Sequence, residues 1–156
     1  MSLPEIRERI RVALAGVSGM GRIHDYERFA ADWPKYLGLF KDSEDRINGC
    51  MFHRTASGKR QATLGEKEKF HVITFRFFRG LQDDQATGVD FDDFIDDVGS
   101  AFDDDPSLGG ACLTIDPDWG PMSGLTGLQV DAIENRRFGT VLCHYAECRL
   151  CVIETV

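Results

Sequence analysis

The sequence predicts an α+β fold: a mostly antiparallel sheet of about four to five strands with two to three helices packed on it. Three observations carry this. Apolar residues recur at three- and four-residue spacing near the N-terminus and again in residues 87–105. Several segments are rich in β-branched and aromatic residues, the strongest being residues 69–79, KFHVITFRFFR. Glycine and proline punctuate the chain without forming an interdomain linker, and no internal repeat is present. The 156 residues therefore read as one domain, 1–156, long enough to bury about 70% of its unfolded surface.

The first element is a helix. Leu3, Ile6, Ile10, Ala13, Leu14 and Val17 form its apolar stripe. Ser2 is placed to cap it, with Glu5 as the return arm of a capping box. Pro4 falls in the first turn, where its missing N–H costs nothing, and Gly16 stops the helix. The next stretch, VSGMG, raises the question of a dinucleotide-binding turn. Such a turn needs a strand before its glycines and a helix after them. Here a capped helix precedes. Ser18 stands at the second glycine position, and no apolar strand ending in an acidic residue follows about twenty residues on. Residues 16–21 read as a helix-to-strand loop, with nucleotide binding there as the alternative.

A short helix is predicted over residues 33–40 and a strand over 46–55. A basic loop (53–69) with a mobile tip follows, then the central strand 69–79, so the two strands make a hairpin. Residues 87–105 give the clearest helix. Phe91, Phe94, Ile95, Val98, Ala101 and Phe102 form its buried stripe, and Asp92, Asp93, Asp96 and Asp97 lie off it. Asp90 is placed to cap its N-terminus. Residues 106–124 are rich in Gly and Pro and read as a loop, with a short strand at 111–115. A hairpin closes the chain: strands at 125–133 and 139–154, with ENRRF between them as the turn.

The formal net charge is −8, which opposes general binding to nucleic acid. The charge is also uneven. Residues 83–105 hold ten Asp and no Lys or Arg, whereas residues 53–69 hold five Lys or Arg. No apolar stretch reaches the roughly 18 residues of a membrane span, and MSLPEIRERI is too charged for a secretory h-region. The five cysteines accordingly read as reduced thiols of a cytoplasmic setting.

Chemistry-bearing motifs are sparse. CHYAECRLC (143–151) contains a C-x-x-C pair, Cys148 and Cys151, near Cys143 and His144. Strand alternation puts Cys143 and Cys151 on one face and His144 and Cys148 on the other, so packing is the favoured role, and a Cys-based metal or redox module is an alternative. The acidic helix lacks the EF-hand pattern. His24, His53, His71 and His144 stand in no catalytic motif: G-x-S-x-G, H-E-x-x-H and the Walker loop are all missing, and TASGKRQ lacks the Walker residues. The chain is read as a non-enzyme without metal or cofactor.

Several segments together resemble the tail terminator, or tail completion, proteins of long-tailed bacteriophages and prophages. They are LPEIRERIRVAL, IHDYERFAAD, INGCMFHRT, HVITFRFFRG, FDDFIDDVGSAF and FGTVLCHYAECRLCVIE. The likeness lies in element order and residue character over most of the chain. It implies a structural protein that forms a ring, commonly six-fold, on the tail tube, ends tube growth and presents a surface for head attachment. The implied partners are further copies of the chain, the tail tube protein and a head–tail connector protein. No membrane and no sequence-specific nucleic acid is implied, although DNA passes through the ring. The implied location is the virion tail, assembled in the bacterial host cytoplasm. Interface candidates are Tyr26, Arg28 and Phe29 for their aromatic and Arg character; Arg54, Lys59 and Arg60 on the basic segment; and Asp92, Asp93, Asp96 and Asp97 on the acidic helix. A closed ring needs two unlike complementary faces on each protomer, and the basic segment and acidic helix are suitable opposites.

Overall fold

The computed structural model describes residues 2–156, with only the backbone at 83. It is an α+β fold. Its elements run α1 (Leu3–Ala15), β1 (Arg22–His24), α2 (Trp33–Gly38), β2 (Asn48–Thr63), β3 (Glu66–Gly80), α3 (Thr87–Asp103), β4 (Gln129–Phe138) and β5 (Val141–Thr155). One five-stranded sheet has the order β1-β2-β3-β5-β4. All pairings are antiparallel except β1 with β2, which is parallel.

Helix α1 starts as its sequence predicts. The Ser2 hydroxyl accepts from the Glu5 amide (3.4 Å) and donates to the Glu5 carboxylate (3.2 Å). Ile6, Ile10 and Leu14 are fully buried and face Cys50, Phe52, Phe75 and Phe77 of the sheet. Helix α3 adds Phe91, Phe94, Ile95, Val98 and Phe102 to the same core. Helix α1 lies toward β1 and α3 toward β5, with the Phe91 ring stacked on His144 of β5 at 5.5 Å.

Four predicted boundaries are corrected. Residues 53–69 are not a loop. Strands β2 and β3 pair out to Thr63 and Glu66, and the turn needs only Leu64 and Gly65, the latter at φ +87°. ENRRF is the second half of β4, not a turn; Arg136 pairs with Cys143 and Phe138 with Val141. The reversal falls at Gly139, whose φ of +66° glycine adopts without strain. Residues 111–115 form only one bridge, Thr114 with Ile153, rather than a strand. Asp90 does not cap α3. The helix begins earlier, after Ala86 in the left-handed region (φ +52°), and has no side-chain cap because alanine offers no acceptor; the Thr87 hydroxyl is engaged with His144 Nε2 (2.7 Å) and Gln82.

Candidate interaction surfaces

Strand alternation separates two unlike sheet faces. The helix face is apolar and closed by α1 and α3. On the open face, α2 covers one end, with Leu37 and Phe40 over Met51, Phe78, Phe138 and Tyr145. Trp119 and Met122 of the 106–124 connection cover the other end, over Phe70, Val72, Cys151 and Ile153. Between these caps the open face is polar and internally paired. Arg76 sits across from Glu147 and reaches Glu27 at 3.6 Å. Tyr145 donates to Glu147 (3.0 Å), and Arg149 grips Asp131 through two bonds of 2.7 and 3.0 Å.

The protomer's two sides carry opposite charge. On one side, β2 and β3 form an arm bearing Arg54, Lys59 and Arg60. Arg54 and Lys59 are exposed. Arg60 lies over the Trp119 ring at 4.8 Å and is fixed by Glu68 (2.8 Å) and Asp118 (3.3 Å). On the other side, Asp92, Asp93, Asp96 and Asp97 all lie on the exposed surface of α3. The β4 strand on that side adds Asp131 and Glu134, followed by Arg136 and Arg137; the sequence places Asp131 in a strand and Glu134 in the ENRRF turn. Leu64 at the arm's tip is fully exposed.

Residues 25–33 form a third exposed patch. Phe29 is 77% exposed and Tyr26 55%, whereas Arg28 is tied back, lying over the Tyr26 ring at 5.1 Å and donating to His24 Nδ1 at 3.1 Å. Beside this patch, Trp33, Pro34, Tyr36, Phe138 and Val141 line an apolar groove of about 610 Å³.

The glycine turn has a structural role that needs no ligand. It follows a helix and leads into β1, the reverse of the strand-turn-helix order of a dinucleotide site. Gly19, at φ +84°, offers its carbonyl to Asn48 Nδ2 (3.0 Å) and Arg79 (2.9 Å).

All five cysteines are buried and unbridged. Cys148 belongs to the helix-face core and Cys151 to the open face, as alternation predicts, so the C-x-x-C pair points in opposite directions. Burial pushes the thiols up, to about 12 at Cys112 and Cys148 and to about 11 at Cys143 and Cys151, and Cys50 upward as well. Thiolate is the reactive form, so a thiol reagent at pH 7.5 is expected to label none of the five in the native protein and all five in denaturant. Fast native labelling of Cys148 or Cys151 would revive a redox role. Among the described residues, no three His, Cys, Asp or Glu are placed to hold a metal ion, and no helix is long and apolar enough to cross a membrane.

One buried polar cluster stands apart. His71 is fully buried, and its Nε2 donates to Glu154 Oε1 at 2.8 Å. Its Nδ1 faces the Arg54 guanidinium at 3.4 Å. Glu154 is only 4% exposed, and its Oε2 has no partner among the described residues.

No family model matches the chain. Over 105 residues, 67% of its length, the chain is 30% identical to a 2,3-bisphosphoglycerate-independent phosphoglycerate mutase from Saccharophagus degradans. It spans 18% of that protein's length. A likeness to less than a fifth of a protein carries neither its family nor its activity over to this chain, and the surfaces above remain the features a function must use.

Proposed function

We propose that the chain is a ring-forming structural protein of the phage tail-terminator kind, one that caps a tail tube and presents a surface for head attachment. The observation that carries the proposal is the polarity of the protomer. A basic arm on one side and the acidic helix α3 on the other are both exposed, and unlike complementary sides are what head-to-tail association into a closed ring requires. The resemblance in element order supports the same reading. So does the acidic character of the surface, since an acidic lumen lets DNA pass without adhesion. In this reading the contacts are with copies of the chain, a tail tube protein and a connector protein, and no cofactor or catalytic group takes part.

Replacing Asp92, Asp93, Asp96 and Asp97 with Asn together tests this. Asp92 with Asp96 and Asp93 with Asp97 are like-charge pairs four residues apart, which destabilise a helix by about 0.2–0.5 kcal/mol each. The variant is therefore expected to melt slightly higher than the parent while its self-association weakens at least tenfold at low salt. Unchanged association at low salt would show that the acidic helix is only a solvated face.

A further inference from the structure

The sheet ends in two long free edges. Strand β1 covers β2 only at Gly49, Cys50 and Met51. Beyond that point, among the described residues, no strand pairs with the outer edge of residues 55–63, nor with the outer edge of β4 along its length. Long unpaired edges are templates for strand addition, and isolated domains ordinarily shorten or cover them. Here both are exposed, and each carries a bulge of the kind found at edges: β2 at Thr55 and Ala62, β4 at Asp131.

We infer that these edges pair with each other between copies of this chain, β2 of one protomer lying antiparallel to β4 of the next. The inference rests on the ring reading and specifies its contact. Strand direction permits it. From β2 to β3, β5 and β4 each neighbour reverses, so β4 runs opposite to β2, and a neighbour in the same orientation meets it antiparallel. Charge selects it. Residues 55–63 carry Lys59 and Arg60 and no acid, whereas the acids of β4, Asp131 and Glu134, come before its basic residues, Arg136 and Arg137. Antiparallel pairing sets late residues of β2 against early residues of β4, which places unlike charges opposite each other. The faces agree as well. Arg60 lies across from Glu68 and Glu134 across from Tyr145, both on the open face. Lys59 lies across from Lys69, on the face that carries α3. Two β2 edges meeting would oppose like charges, so the contact is head-to-tail.

The geometry also sets a stagger between successive protomers. Arg54 is level with Leu150 of β5 through Ile73, and the free stretch of β2 continues past it. Strand β4 pairs with β5 only between Val141 and Arg149. The two edges thus lie toward opposite ends of the strands, and joining them staggers successive protomers along the strand direction. Such a stagger is compatible with a closed ring whose strands tilt to its axis, as in a barrel.

Amide hydrogen exchange followed by mass spectrometry, on the full chain at concentrations spanning association measured by light scattering, tests the pairing. The expected result is that peptides covering residues 55–63 and 129–138 both slow at least tenfold on association, while peptides from α1 do not change. Association without slowing at either edge would overturn the pairing and leave the ring reading standing on other contacts. Slowing at one edge alone would mean that something other than the opposite edge covers it, and would equally overturn the pairing. A chain that stays monomeric at every concentration would overturn both.

Discussion

Replacing His71 with alanine is expected to cost the fold about 3–5 kcal/mol, a large part of the roughly 5–15 kcal/mol that holds a domain together. Glu154 is buried and receives the His71 N–H as its one observed hydrogen bond, at 2.8 Å. Removing the donor leaves a carboxylate in an apolar setting without compensation, and the alanine adds a cavity at a fully buried position. The pair itself is not worth that amount, because exchanging both partners for packed apolar residues is commonly near neutral. A His71→Leu, Glu154→Leu double variant should therefore recover most of the loss in urea unfolding at pH 7.5. The parent also carries a pH signature. Burial, outweighing the opposing pull of Glu154, lowers the His71 pKa from 6.5. The unfolded chain then binds a proton more readily than the folded one as pH falls through and below 6.5, so stability drops on acidification. The His71→Ala variant should lose that part of the slope. A loss below about 1 kcal/mol, the range of an ordinary exposed pair, would mean that the cluster is solvated rather than buried.

Gly21→Ala is expected to be comparably severe, lowering stability by about 3 kcal/mol or more, because the overlap is with backbone rather than a movable side chain. A Cβ built on Gly21 runs into the Asn48 carbonyl, 2.7 Å from its carbon. Backbone at that distance has to shift, and Asn48 opens β2 just ahead of the residues that pair with β1. The substitution should therefore release β1 and the exposed 25–33 patch behind it, read as a fall in melting temperature and faster proteolysis there. Gly38→Ala is the control. Nothing lies within 4 Å of a Cβ at Gly38, and alanine there should be neutral or stabilise by about 0.4–1 kcal/mol. Equal effects of the two substitutions would contradict the packing role given to the glycine turn.

Much of the fold was legible because burial imposes a period. Ile6, Ile10 and Leu14 in α1, and Phe91, Phe94, Val98 and Phe102 in α3, repeat at helical spacing because each must face one sheet. Residues 69–79 read as central because apolar side chains point to both faces, Ile73, Phe75 and Phe77 to the helices and Val72 and Phe78 to the two caps of the open face. The arm was not legible for the same reason in reverse. Residues 55–63 are exposed in all but two positions, so no alternation marks them as a strand, and the ladder with β3 is set by register alone. Strand β4 was displaced because its charges imitate a turn, while the glycine that makes the turn, Gly139, lies just past them. The parallel strand β1 is three residues long, too short to show any period. Of the interaction surfaces, the acidic face of α3 could be read from spacing. The free edges could not, because an edge is defined by which strands are neighbours.

Head-to-tail self-assembly is read most simply from the mass of the chain in solution, by multi-angle light scattering across a concentration series. The expected result is a discrete species of several protomers, near six, that loosens as salt is raised and appears as rings when imaged. A monomer at every concentration and salt, or growth without a limiting size, would contradict it.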